Sequence, residues 1–436
     1  MAKKVDTAKD KEKEKNKKKD IKETKKDNVK VDKKKKTVDK EEKKEKESYS
    51  SKELITVMLF SLGIGFLMCF GCISLITGKN YIRVNKDLSK VVDTYYAIVD
   101  NYYGDLDKEA LIDNAIEGMI NSVGDSFTSY SDSTTTEEFN ETITGSYEGI
   151  GSSIATYTDG KTVVIEVFAD SPAEKAGLKV GDIIIKVDGK DYSDKNSNDI
   201  SSYVKNSGKE KVVLTVLRDN KEIDITINLS KVEIPYVTSN TFEKNDKKVG
   251  YIGISLFAGN SYKQFEKELN KLEKDNIDSL IIDVRDNSGG YLTSVTDICS
   301  LFLEKGKVIY QLEDSSGTIK KKDTTKDKRN YDIVVLINGE SASASEILAS
   351  AIKESYGGKV VGTNSYGKGT VQQTKKLLDG SMIKYTTQKW LTPDGNFINE
   401  KGVTPTEVVE MNDDYYSSPS TEKDNQLQKA IELLTK

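Results

Sequence analysis

The sequence predicts an α/β core joined to a small β-rich domain and preceded by one transmembrane helix. Three observations carry this. From Val232 onward, apolar strand-like runs alternate with amphipathic helical segments. Between Gly149 and Leu229, short β-branched runs recur with turn signals at roughly ten-residue spacing, the pattern of a compact β domain. Near the N-terminus, Leu54 to Gly78 carries no charge. At 436 residues the chain has room for two or three domains.

The first element is a tail, residues 1–52, holding 22 lysines against 13 acidic residues, a net charge of +9, with almost nothing apolar. Such a segment cannot bury enough surface to offset its ordering entropy, and it is expected to be disordered. Interleaved Glu and Asp argue against a nucleic-acid partner. The uncharged stretch that follows predicts a membrane anchor over 53–78, since a bilayer core of about 30 Å needs about 20 residues at 1.5 Å rise. It has neither the shorter core nor the A-x-A-like exit of a cleavable signal. The lysines ahead of it predict a cytoplasmic N-terminus, with everything after Lys79 outside the cytoplasm. Cys69 and Cys72 lie in the span and Cys299 stands alone, so no disulfide framework can be built. With no histidine and no exported cysteine pair, a zinc site is not expected, and no other cofactor is called for.

Residues 86–134 form a helical region. Val92, Tyr95, Tyr96 and Val99, then Leu111, Ala115 and Met119, recur three and four apart on either side of a Gly-Asp turn, and a polar Ser/Thr stretch follows. The β-rich domain is expected over 135–231. In SPAEKAGLKVGDIIIKVDGKDY, residues 171–192, Ser-Pro opens a short helix, Gly177 stops it, Gly181-Asp182 turns, and IIIKV is a strand. NDISSYVKNS reads as a second helix and KVVLTVLRD as the next strand. This stretch resembles a PDZ domain, which takes an extended peptide onto a sheet edge and captures its C-terminal carboxylate in a nest of backbone amides. The resemblance puts that nest at Gly149, Ile150, Gly151 and Ser152.

From Val232 to the C-terminus the order is strand (VGYIGISLF), helix, a buried strand running into DVRDNSGG, helix, strand, a charged surface loop (KKKDTTKDKRN), strand (YDIVVLING), helix (SASEILASAIKESYGG), strand (KVVGTNS), then a hairpin. The serines of NGESASASEIL sit where a strand ends and a helix begins. Free N–H groups and the helix dipole favour negative charge there, which suits a nucleophile. Equally, Ser343-x-x-Glu346 reads as a capping box. Absence of histidine excludes a Ser-His-Asp triad, leaving a desolvated lysine as activator. A free lysine, pKa about 10.4, is neutral in roughly one molecule per thousand at pH 7.4. Burial can supply the shift that a base needs. Most lysines here sit in charged contexts; Lys368, between Gly367 and Gly369, does not.

Taken together, NGESASASEIL, GTNSYGKGTVQ and DVRDNSGG, in that family's order and spacing, resemble the C-terminal processing (tail-specific) peptidases, Ser-Lys endopeptidases that carry a PDZ domain. The resemblance runs from about Val91 to the end and includes LTPDGNFINEKGVTP. It implies a ClpP/crotonase-like mixed sheet with helices, over 232–436, as the serine protease domain. It implies Ser343 as nucleophile, Lys368 as base and Gln372 as the residue positioning that lysine, on the same face of a strand if a step of four holds. It implies an oxyanion hole from the amides of Ala344 and Gly289, and Arg218 as a coupler between the PDZ and protease parts. Ser341 and Ser345 are then packing or capping residues. The substrates implied are polypeptides bound through their C-termini, with a homodimer and an activating partner protein as further possibilities. GVTPT at 402–406 departs from the family's GVxPD without touching these roles.

Two alternatives are left by the residues themselves. Ser350-Ala-Ile-Lys353 fits the S-x-x-K of penicillin-binding proteins and β-lactamases, although no S-x-N follows and Lys368-Gly-Thr reverses K-T-G. The other is a catalytically silent PDZ scaffold at the membrane.

Overall fold

The structure is a computed structural model that describes residues 50–77, 81–326 and 328–436; the lysine-rich tail expected over 1–52 lies outside them as far as residue 49. The chain divides into two units at Leu106. In the first, helix Ser51–Thr77 includes a stretch, Ser51–Cys69, with mean hydropathy 1.7 and none of it buried. By length and composition it can cross a membrane. Helix Tyr81–Asn101 leaves Leu88, Val91, Val92 and Tyr96 exposed at helical spacing.

The second unit opens with helix Lys108–Asn121, capped by the Asp107 carboxylate, which accepts from the N–H groups of Glu109 and Ala110. The polar Ser/Thr stretch is helical, Ser133–Thr144, started by Asp132 and stopped by Gly145 in the left-handed conformation. Capping chemistry overrides the low helix propensity of its threonines. The boundary drawn between 134 and 135 therefore falls inside a helix. Strand Ser129–Ser131, just ahead, pairs with Met382–Leu391 of the distant C-terminal part.

The β-rich domain is an antiparallel sheet in the order Ser152–Thr156, Thr162–Val167, Ile183–Val187, Lys211–Arg218 and Lys221–Asn228. Helices Pro172–Ala176 and Ser197–Asn206 pack on a core that includes Val164, Ile184, Val212, Leu214 and Ile227. Ser171 caps the first helix with Pro at its first turn, and Gly177 ends it at φ +85°, as the sequence pattern requires. Strand Ser146–Gly149 enters the domain paired with Ser230–Glu233, which leaves it.

The C-terminal part has two sheets. The first runs Val237–Lys244, Lys247–Ile254, Ser279–Asp283, Asp332–Ile337, Lys359–Gly362 and Glu407–Val408, parallel except for the first pair. Its alternation is strict: Leu280, Ile282, Val335 and Ile337 join the large core beneath helices Ser261–Lys274, Leu292–Ser300 and Ala344–Ser350. Ile281, Val334, Leu336 and Val361 face helix Asn425–Leu434 on the other side. The second sheet contains the hairpin Thr370–Lys376 and Met382–Leu391, with Val308–Asp314, Gly317–Lys322 and Ser129–Ser131. The start of the expected charged loop is thus an exposed edge strand, Gly317–Lys322, which ends in three lysines.

Candidate active site

Ser341, Ser343 and Ser345 follow strand Asp332–Ile337 and separate cleanly by environment. Ser341 is fully buried, donates Oγ–H to the Val284 carbonyl at 2.7 Å and accepts from Asn338 N–H at 3.0 Å. Ser345, equally buried, donates to the Asn287 carbonyl at 2.8 Å. Both pin the helix start to the DVRDNSGG turn. Ser343 is partly exposed and its hydroxyl donates to no carbonyl among the described residues. Its backbone has φ +53° and ψ −110°, strained for a residue with a Cβ and held there by its surroundings.

The surroundings are concrete. Ser343 N–H donates to Glu346 Oε2 at 2.7 Å, the Glu346 half of the expected capping box. The Glu346 carboxylate is fully buried and accepts three further bonds, from Ser365 Oγ at 2.6 Å, Gly367 N–H at 2.7 Å and Lys368 N–H at 2.9 Å. One carboxylate thus joins the backbone at the nucleophile candidate to the backbone at the lysine candidate. Burial still pushes its pKa above the ordinary glutamate value. Sequence reasoning saw Glu346 only as a capping residue; the bond to Lys368 spans 22 residues and has no local signature.

The glycines of DVRDNSGG are required by close approach. A Cβ on Gly289, φ +109°, would lie 2.9 Å from both the Ala342 carbonyl oxygen and Ser343 Cβ. One on Gly290, φ +136°, would lie 2.3 Å from the Phe257 carbonyl oxygen. The Gly289 N–H is already committed, donating to Asn287 Oδ1 at 2.8 Å, so in this conformation it does not offer the oxyanion donor expected of it. Its carbonyl accepts from Phe257 N–H at 2.8 Å. Across a trans peptide the next N–H points the opposite way, so Gly290 N–H is turned away from Phe257. The amides of Gly290 and Ala344 have no partner among the described residues. In the same motif, Arg285 pairs with Asp283 at 2.6 Å and with Asp424 at 2.8 Å, anchoring the start of the C-terminal helix.

Lys368 lies in the loop after Lys359–Gly362. A Cβ on Gly367 would meet the backbone nitrogens of 400–402 at 2.9–3.0 Å, and one on Gly369 would meet Asn399 N at 2.8 Å, so the YGKG loop packs backbone to backbone on NFINEKG. Trp390 Nε1–H holds the Lys368 carbonyl at 2.7 Å. The side chain is mostly buried, and its pKa is pushed below the ordinary lysine value by burial first and then by Lys384; Glu346 and Asp125 oppose the shift. Its Nζ stands 4.9 Å from the centre of the Phe127 ring and is bonded neither to Ser343 Oγ nor to Gln372 among the described residues. Gln372 Nε2 donates to Thr370 Oγ1 at 2.9 Å and Thr386 Oγ1 at 3.0 Å. The step-of-four premise does not apply here: the strand begins at Thr370, after Lys368, and its register slips between Val371 and Gln372.

Arg218 also differs from expectation. Its guanidinium is bound within the β-rich domain, to Asp182 at 2.5 and 2.6 Å and to the Gly177 carbonyl at 2.9 Å. Of the expected carboxylate nest, Gly149, Ile150 and Ser152 line a cleft of about 420 Å³ between strand Ser152–Thr156 and helix Ser197–Asn206, together with Ile154, Ile200 and Val204. A Cβ on Gly151, φ +81°, would lie 2.4 Å from Ser171 Cβ. As for the S-x-x-K alternative, Ser350 is fully buried with Oγ donating to Ile347, and Lys353 Nζ donates to the Thr404 carbonyl, so they form no site.

Comparison with known proteins places the chain in a family. The profile of peptidase family S41 matches residues 248–409, a PDZ domain profile 163–218, and that of the activating protease CtpB N-terminal domain 75–135. Carboxy-terminal processing protease CtpB of Bacillus subtilis (strain 168) is 38% identical over 338 residues, covering 77% of this chain and 70% of the relative. CtpA of the same organism is 36% identical over 358 residues, covering 80% and 76%. Among solved structures, the photosystem II D1 C-terminal processing protease aligns with TM-score 0.46 at 23% identity, covering 85% of this chain and 96% of that one. The chain belongs to the carboxy-terminal processing serine proteases of peptidase family S41, with a PDZ domain.

Proposed function

We propose that this protease is anchored in the membrane by residues 53–78, acts outside the cytoplasm, and cleaves with a Ser343–Lys368 dyad. The observation that carries the dyad is the Glu346 bridge: one buried carboxylate holds the strained Ser343 backbone and the loop presenting a desolvated lysine. The neutral Lys368 amine takes the Oγ proton as Oγ attacks the scissile carbonyl. The Ala344 and Gly290 N–H groups receive the oxyanion, in place of the committed Gly289 amide. The lysine then protonates the leaving amine, and an acyl-enzyme remains. Water, deprotonated by the same amine, releases the product acid and restores Ser343. For this, Lys368 Nζ has to close on Ser343 Oγ from its place over Phe127, with Gln372 Oε1 available to accept from the amine.

The PDZ cleft is the seat of the substrate C-terminus. Ile154, Ile200 and Val204 suit an apolar terminal side chain, and the Gly149–Ser152 turn, beside the Tyr147 ring, is the seat for its carboxylate. Arg218, held by Asp182 and the Gly177 carbonyl, supports that domain. The exposed apolar stripe of helix Tyr81–Asn101 fits a second copy or an activating partner. The test of the dyad is kinetic: Ser343→Ala and Lys368→Ala in the full-length protein each abolish cleavage of an unstructured polypeptide with an apolar C-terminus. Substantial cleavage by either variant would overturn the assignment.

A further inference from the structure

Residues 124–128, a turn in the N-terminal helical region, reach strand Met382–Leu391 through a chain of hydrogen bonds. Asp125 accepts from its own Phe127 N–H at 3.1 Å and Thr128 Oγ1 at 2.6 Å, which closes the turn. Its Oδ2 also accepts from Thr386 Oγ1 at 2.6 Å, across 261 residues of sequence. Strand Ser129–Ser131 seats the turn by pairing Ser129 with Lys384 on the same strand as Thr386. Phe127, one residue before Thr128, places its ring 4.9 Å from Lys368 Nζ.

Hydrogen-bond polarity gives this contact a consequence. An ionised carboxylate only accepts, so the Thr386 hydroxyl must spend its single proton on Asp125. Towards Gln372 it can then only accept, and it does, from Gln372 Nε2 at 3.0 Å. Thr370 Oγ1 receives from the same nitrogen. With the amide nitrogen pinned twice, the orientation of the amide is set, and Oε1 is left without a partner among the described residues.

We propose that the Asp125–Thr128 turn is a positioning element of the active site, in which Asp125 fixes the Gln372 amide through Thr386 and Phe127 walls the Lys368 amine from water. This rests on the dyad reading above. The charged groups facing Lys368 are Asp125 from the turn, Glu346 from helix Ala344–Ser350 and Lys384 from strand Met382–Leu391. The turn acts on the amine with two opposite signs. Phe127 covers the amine, and this burial, which favours the neutral base, outweighs the pull of the ring face on the ammonium, while the Asp125 charge favours the ammonium. An amine that must be neutral to act and cationic to protonate the leaving group is served by both.

The experiment is the pH profile of kcat/KM for the full-length protein in detergent micelles, with an internally quenched peptide, for four variants. Asp125→Asn removes the charge and lets the side chain donate to Thr386, freeing the amide to turn. Its acid limb moves to lower pH, and kcat falls about tenfold, a fraction of the whole acid–base contribution. Phe127→Ala admits water and moves the acid limb to higher pH, and Phe127→Leu restores it. Thr386→Val, close to isosteric, lowers kcat as Asp125→Asn does but leaves the acid limb in place, because the charge remains. Unmoved limbs in Asp125→Asn and Phe127→Ala, or an unchanged kcat in Thr386→Val, would overturn the proposal. If Phe127→Ala does not fold, Asp125→Asn and Thr386→Val decide it. A Lys368→Ala enzyme that still cleaves would sink the dyad instead, so the two failures are distinguishable.

Discussion

Glu346→Gln tests the bridge that holds the active site together. The substitution preserves shape and replaces one acceptor oxygen with an NH2 donor. Of the four groups around the carboxylate, three are backbone N–H donors, from Ser343, Gly367 and Lys368, and one is the Ser365 hydroxyl. The least costly amide orientation puts NH2 towards Ser365, whose hydroxyl can rotate to accept. That orphans Gly367 N–H; the opposite orientation orphans both Ser343 and Lys368 N–H. An unsatisfied buried donor costs about 1–3 kcal/mol, so the preferred orientation should destabilise the protein by about that much. The sign of its pH dependence also follows. Burial raises the Glu346 pKa above its unfolded value of 4.5, so the folded state binds the extra proton. Its contribution is fully present below 4.5 and is lost as pH rises through the raised folded value. Glu346→Gln cannot titrate and should therefore flatten that part of the stability profile. Urea melts of the full-length protein between pH 4 and 8, with peptide cleavage measured on the same samples, are the assay. Cleavage should drop by about 100-fold, the scale of a misplaced nucleophile or base. A variant that matches wild type in both midpoint and cleavage rate would refute the bridge as the element that positions Ser343 and Lys368.

Three further outcomes are expected. Ser345→Ala loses one buried hydroxyl bond, costing about 0.5–1.5 kcal/mol in a melt, and Ser341→Ala loses two, costing about twice that, yet both keep most peptidase activity; loss of cleavage without loss of stability in Ser345→Ala would contradict the assignment of Ser343. Gly289→Ala forces a Cβ to 2.9 Å from Ser343 Cβ at φ +109°, so activity should fall by at least about 100-fold while gross fold survives by circular dichroism; a fully active variant would show that the turn yields freely. Arg218→Ala leaves the buried Asp182 carboxylate without its charged partner, and protease nicking should reveal loosening of the PDZ domain by about 1.5–3 kcal/mol; unchanged nicking would remove Arg218 from any structural role there.

Several elements were legible because their cause is local. The Ser171-Pro172 start and Gly177 stop of the PDZ helix depend on residues a few positions apart, and the structure has them. The hairpin around Asp379-Gly380 and the buried strand Ser279–Asp283 are equally short-range. Helix Ser133–Thr144 is hard to read from sequence because threonines suppress the helical signal, and only the cap at Asp132 and the stop at Gly145 mark it. A step of four does not relate Gln372 to Lys368, because the strand begins only at Thr370 and is bulged.

By itself the sequence determined which chemistry is available. No histidine, one lysine between two glycines, serines at a strand-to-helix turn, and an apolar run long enough for a bilayer are properties of residue type and spacing. Only the tertiary structure decided which groups are free to act. It committed Gly289 N–H to Asn287, left Gly290 and Ala344 open, tied Ser343 to Lys368 through Glu346, and brought Asp125 to Thr386 from the far end of the unit. Donors and acceptors are claimed by whatever packs against them, and packing partners here lie tens to hundreds of residues away in the chain.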